Sequence, residues 1–341
     1  MARVDSPKTS QRVNLPFSCS LAGNLLCSKP TPPSSPIFFS LDLPAHFTKA
    51  YLLLPLVAAV TYAFSALHFK RALSLGLGPW RAAFVMNVFY AIAFLPMFFW
   101  AKPVPSLWSL WPAVLAGVLL FAGSICNTLA LTRGEVSVST PIMGFKPVVV
   151  AVLSVLLLGT HLGWRIWLAC FLSVTGIVLM QGRLKGISMG KLRDTVGFAV
   201  ASAVTFAGYD ILVQHYAPIV GRFMFAPVSY IACCALTSFL LLKGFQEPLS
   251  AVSKSAWTAI LLGSGLMVLQ SALLYFGIAF FQDATGNNIV HSSRGVFSVI
   301  VVWTLGHHFA NTEVAQGGHA LMGKRLIGAI FVTAAVIFAM T

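Results

Sequence analysis

From Tyr51 to its C-terminus the chain is a succession of apolar runs, each long enough for a helix to cross a hydrocarbon core, separated by short polar connections. A backbone in lipid must satisfy its own hydrogen bonds, so runs of this kind fold as transmembrane helices. Ten windows fit: Tyr51 to His68, Pro79 to Trp100, Leu107 to Leu131, Val136 to Gly159, Trp164 to Gln181, Val196 to His215, Phe223 to Leu242, Ala256 to Phe281, Gly286 to Gly306, and Leu326 to Met340. The connections carry Gly, Pro and charge, as in Ala101-Lys102-Pro103-Val104-Pro105, and leave no room for a soluble catalytic domain. Composition agrees, with 58% hydrophobic and 9% charged residues and a mean hydropathy of +0.86. The predicted fold class is an all-α integral membrane protein of ten helices.

The net charge of +14 would suggest nucleic acid in a soluble domain. Here the basic residues sit mostly in loops, so the expected partner is a lipid bilayer and not nucleic acid. Loops after the odd-numbered segments hold Lys70, Arg71, Arg81, Arg133, Arg183, Lys185, Lys191, Arg193, Lys243, Lys254, Lys324 and Arg325, whereas the others hold Lys102, Arg165 and Arg222. The loops place both termini outside, the five cations of the N-terminal stretch argue the opposite, and the orientation stays open.

Residues 1–49 read as a leader, Ser- and Pro-rich (Pro30, Pro32, Pro33, Pro36) and acid-poor, either disordered or the product of a mis-assigned start; an organelle targeting segment is the other reading. The six cysteines have no CxxC spacing and make neither a disulfide framework nor a metal site. His307, His308, Glu313 and His319 lack compact ligand spacing, so no metal and no cofactor is expected. Trp100, Trp108, Trp111, Trp164 and Trp167, near segment ends, read as interfacial belt residues.

Val60-Thr61-Tyr62-Ala63 in the first segment recurs as Val204-Thr205-Phe206-Ala207 in the sixth, and Glu135 before the fourth segment is matched by Asp283 before the ninth. In the same spacing Lys146 falls on Arg294. The expected organisation is a first five-helix repeat over 50–182, a basic connecting loop over 183–194 and a second repeat over 195–341. An odd number of helices per repeat makes the second copy enter from the opposite side, an inverted topology used by many secondary transporters.

Arg133-Gly134-Glu135-Val136-Ser137, Phe145-Lys146-Pro147-Val148-Val149-Val150-Ala151, Leu157-Leu158-Gly159 and Gly176-Ile177-Val178-Leu179, with the helix count and the repeat, resemble the ten-helix EamA-type members of the drug/metabolite transporter superfamily. The resemblance runs from about Tyr51 to the end and implies transport of a small metabolite. The chain departs from the family where a Glu commonly follows the Gly closing the fourth and ninth segments; Thr160 and His307 stand there, and Arg294-Gly295 replaces the second repeat's proline.

Lys146 and Arg294 lie deep in apolar segments, where a charge costs a few kcal/mol and marks a functional site by default. Asn287, His291, Arg294 and Ser298 are spaced to share one face of the ninth segment, and Ser139, Met143 and Lys146 are their counterparts in the fourth. Both stripes are expected to line a central cavity, which Asn127, Gln270 and Tyr275 could complete or leave for interhelical hydrogen bonds. An Arg fork with a mobile Lys suits an anionic or zwitterionic metabolite. The competing reading pairs each cation with an internal carboxylate. Asp210, well inside the sixth segment, is the obvious partner and equally a candidate proton carrier.

No P-loop spacing and no paired catalytic constellation is present, so the chain reads as a non-enzyme that moves a small molecule by alternating access, with gradients or exchange as the energy source. The rival classes are an intramembrane lipid-handling protein or enzyme and a non-transporting subunit. The expected location is the cell (inner, cytoplasmic) membrane, with a homodimer allowed.

Overall fold

The computed structural model describes residues 49–102, 105–132, 139, 142–180, 189–241, 252–305 and 313–340. Among these residues every regular element is helical. α1 (Leu53–Ser74) follows a short 3-10 turn; α2 (Pro79–Phe94) runs on as a 3-10 turn to Trp100; α3 is Trp111–Thr132, α4 Lys146–Leu158, α5 Trp164–Met180, α6 Met189–Val220 and α7 Arg222–Leu241. α8 is Lys254–Phe281, α9 Ala284–His291, α10 Arg294–Leu305 and α11 Glu313–Met340.

Among the described residues six helices are long and apolar enough to cross a membrane, and α4, α5 and the end of α11 are shorter apolar helices. In the long spans no more than 44% of the most apolar window is buried inside the protein. The remainder turns Ile92, Phe99, Phe239 and Leu262 outward, a surface that lipid suits and water does not. The chain is a multi-pass integral membrane protein. The five belt tryptophans are exposed near helix ends, and Trp111 meets Tyr216 edge-on with centroids 5.4 Å apart.

Packing runs across the repeats. α1 lies along α8 and α10, α6 along α3 and α4, and α5 along α11, so each repeat supplies the neighbours of the other. Small residues allow this closeness. A Cβ on Gly176 would fall 2.6 Å from the Gly328 carbonyl oxygen, and one on Gly328 would fall 2.4 Å from that of Gly176. The Ser65 hydroxyl donates to the Gly263 carbonyl (2.7 Å) and the Ser202 hydroxyl to the Gly123 carbonyl (2.9 Å), tying α1 to α8 and α6 to α3.

Two segments expected as continuous helices are broken. The fourth turns at Gly144-Phe145 before α4 begins, and the ninth turns at Ser292-Ser293 between α9 and α10. The breaks occupy matching positions of the two repeats, but different chemistry makes them. Pro147, second residue of α4, has no N–H to continue a helix through the turn. The second break has no proline; there Ser292 and Ser293 donate their hydroxyls back to the carbonyls of Ile289 (2.6 Å) and Val290 (2.7 Å), local bonds that compete with the helix ladder.

Two helices also start earlier than their apolar windows. α6 begins at Met189, so part of the expected connecting loop is helical, and α11 begins at Glu313 instead of Leu326, carrying His319 on a helix. An apolar window marks where lipid begins, not where a helix begins. Residues 1–48, Glu135, His307 and His308 lie outside the described residues.

Candidate functional site

Lys146 and Arg294 are the first residues of α4 and α10, so each puts a side-chain cation at the start of a half-helix just after a break. A helix N-terminus is itself electropositive, and a cation there calls for an anion. The two cations meet that demand differently.

Lys146 Nζ lies 2.7 Å from Asp210 Oδ2 in a nearly buried ion pair. Asn288 Nδ2 donates to the same oxygen at 2.7 Å. Asp210 stands one turn after Phe206 and one turn before Gln214, so α6 presents all three on one face. Phe206 places its ring centroid 6.0 Å from Lys146 Nζ. The Gln214 side-chain Oε1 accepts from the Ala284 amide at 3.0 Å and so helps to cap α9. One face of α6 thus holds both the Lys146 charge and the helix that carries Asn288.

Arg294 has no carboxylate within ion-pair distance among the described residues. Its guanidinium carbon lies 4.8 Å from the centroid of the Tyr62 ring. Its Nη1 approaches His291 Nε2 at 3.4 Å. Arginine only donates, so Nε2 is the acceptor in this contact. The His291 ring is buried and edge-on to Tyr62 at 6.0 Å.

The aromatic contacts carry the repeat into three dimensions. Tyr62 and Phe206, aligned in the sequence, each lie under the cation of the opposite repeat. The cations share a cavity of about 20 Å³, lined among others by Pro147, Asn288, His291 and Ser292 and large enough for one water. Ser292 also accepts from the Ser173 hydroxyl at 2.7 Å, anchoring the second break to α5.

The remaining expected residues lie elsewhere. Asn287 is fully buried, donates to the Asp283 carbonyl at 2.7 Å and packs against Gly277, where a Cβ would come within 2.2 Å of its Oδ1. Its neighbour Asn288 takes the inward place; both are one turn from His291, and spacing alone does not choose between them. Ser298 and Asn127 are partly buried and Ser139 and Gln270 buried, none lining the cavity. Tyr275 donates to the Arg222 carbonyl at the start of α7 and meets Phe94 edge-on at 6.3 Å, in an aromatic layer with Tyr90, Tyr209 and Tyr230. Asp283 is the N-cap of α9, accepting from the Gly286 amide at 2.7 Å and from the Tyr51 hydroxyl at 2.6 Å. Asn288, Tyr62, Phe206 and Ser292 were missed. The repeat alignment held a signal for two of them, since it paired Tyr62 with Phe206.

Residues 48–181, the first repeat, match the model of the EamA-like transporter family. Comparison with curated proteins gives no match. Among solved structures 28 chains match. One, described only as the crystal structure of a protein, superposes with a TM-score of 0.63 at 14% sequence identity, over 85% of this chain and 98% of its own. At that identity the likeness speaks to the fold alone.

Proposed function

We propose a function for what is, by its first repeat, a member of the EamA-like transporter family within the drug/metabolite transporter superfamily: a secondary transporter that moves a small anionic or zwitterionic metabolite by alternating access. The coarser part, membrane transport, follows from the family. The observation that carries the finer part is the unequal treatment of two central cations, one held by Asp210 and the other without a carboxylate among the described residues. An unpaired Arg in a low-dielectric site is stabilised by an arriving oxyanion, and its fork can hold carboxylate or phosphate with two hydrogen bonds. Lys146–Asp210 reads as the fixed partner of that site, with Asp210 a counter-ion in this geometry instead of a proton carrier.

The broken helices supply the moving parts. Half-helices that meet at a central site and pack on the opposite repeat can rock about it, and the cavity must widen beyond one water to admit a metabolite. The test is flux in proteoliposomes containing the full chain, across anionic, zwitterionic and cationic metabolites. Uptake or exchange restricted to anionic or zwitterionic compounds is the expected result. Transport of cations alone, or of nothing in the panel, contradicts the reading.

A further inference from the structure

The two cation sites share a plan and differ in one charged group. Each cation opens a half-helix after a break, and each lies by an aromatic ring of the opposite repeat's first helix, Phe206 for Lys146 and Tyr62 for Arg294. One turn beyond Phe206, α6 supplies Asp210 to Lys146. In the register that aligns Tyr62 with Phe206, the residue one turn beyond Tyr62 on α1 is Ala66, partly exposed. Pro147 and Gly295, and Met143 and His291, also differ between the two sites, but Asp210 and Ala66 are the pair at which a charge stands in one site and not in the other.

We propose that the oxyanion of the transported metabolite occupies, against Arg294 and beside Ala66, the place that the Asp210 carboxylate occupies against Lys146. This rests on the transporter reading and adds to it the position and chemistry of the recognised group. Asp210 is a built-in copy of that group, and its absence from α1 leaves one place for a travelling one. Ala66 carries only a methyl group where Asp210 carries a carboxylate. α1 packs along α10, as α6 packs along α4, so a carboxylate carried on α1 at this position would reach Arg294 by the path Asp210 takes to Lys146.

The inference makes Ala66 the position at which specificity can be switched off from within. Ala66→Asp gives Arg294 its own carboxylate and closes the place to anions, whereas Ala66→Asn fills nearly the same volume without the charge. The experiment measures the melting temperature of the purified full chain in detergent against sodium acetate and, separately, inorganic phosphate, each relative to sodium chloride at equal ionic strength. In the wild type at least one probe raises the melting temperature, and which one does so separates a carboxylate from a phosphate ligand. A66D is expected to lose at least tenfold in apparent affinity for that probe, and A66N to stay within threefold of wild type.

Asp210→Asn supplies a second reading that needs no folded A66D. It frees Lys146, so the probe should act at two places and its stabilising shift should at least double. An A66D or D210N titration that matches wild type overturns the proposal, as does an equal loss in A66N and A66D, or no anion-specific shift in the wild type. A wild-type chain that moves metabolites while A66D keeps its anion shift refutes this inference and leaves the transporter reading standing. A chain that moves none refutes that reading instead.

Discussion

The half of the site around Lys146 is closed upon itself, and the half around Arg294 is not. Lys146 has a carboxylate, an amide behind that carboxylate, and a break fixed by the covalent geometry of Pro147. Arg294 has an aromatic face, a long contact to an imidazole, and a break made by two reversible serine hydrogen bonds. On the proposed function these are a held half and a responsive half of one site. On that proposal, one carboxylate decides which half recognises a ligand.

The largest expected effect breaks the held half. Asp210→Ala leaves the Lys146 charge buried and alone, and removal of one member of a buried pair costs about 3–5 kcal/mol. Arg294→Gln removes a charge that has no carboxylate partner among the described residues and should change stability by no more than about 1 kcal/mol. Thermal unfolding of the two variants in the same detergent checks the contrast. Similar losses in both would erase the distinction between the halves.

A smaller effect tests how the responsive half is held open. Ser292→Ala deletes the back-bond to Ile289 and strands the buried Ser173 hydroxyl, a loss of about 1–3 kcal/mol. Ser293→Ala deletes only the back-bond to Val290 and should cost about 1 kcal/mol. Unfolding midpoints that rank the two in the opposite order would remove the α5 anchor from the account.

The smallest effect sharpens the aromatic comparison. The Tyr62 ring lies 4.8 Å from its cation and the Phe206 ring 6.0 Å from its own, at the outer limit of a cation–π contact. Tyr62→Leu should therefore lose roughly 0.5–1 kcal/mol more than Phe206→Leu. Paired melting curves measure the difference, and equal losses would mean that packing alone explains both contacts.

Much of this arrangement was legible in the sequence. The apolar windows found the helices because lipid imposes length and composition directly, and the repeat placed Lys146 opposite Arg294. The break at Gly144-Phe145 had its signal in Pro147, which disfavours a helical residue before it. The break at Ser292-Ser293 had none of comparable strength, since serine is tolerated in helices and only its bonding shows that it interrupts one. Asn287 and Asn288 could not be told apart, because adjacent residues both lie near the same helical neighbour. The contacts of Tyr62 and Phe206 were hidden for another reason: each ring belongs to one repeat and serves the cation of the other, and a repeat alignment compares equivalent residues without saying which of them touch. The starts of α6 and α11 escaped because polar turns of helix outside the lipid carry no apolar signature.

On the proposed function, Arg294 is the cation reserved for a travelling anion. Its most direct test is flux of an identified substrate into proteoliposomes containing Arg294→Gln, with the melting temperature of the same preparation measured alongside. A chain as stable as wild type that transports at least tenfold more slowly is the predicted result. Arg294→Gln transporting at the wild-type rate while folded and inserted would contradict it.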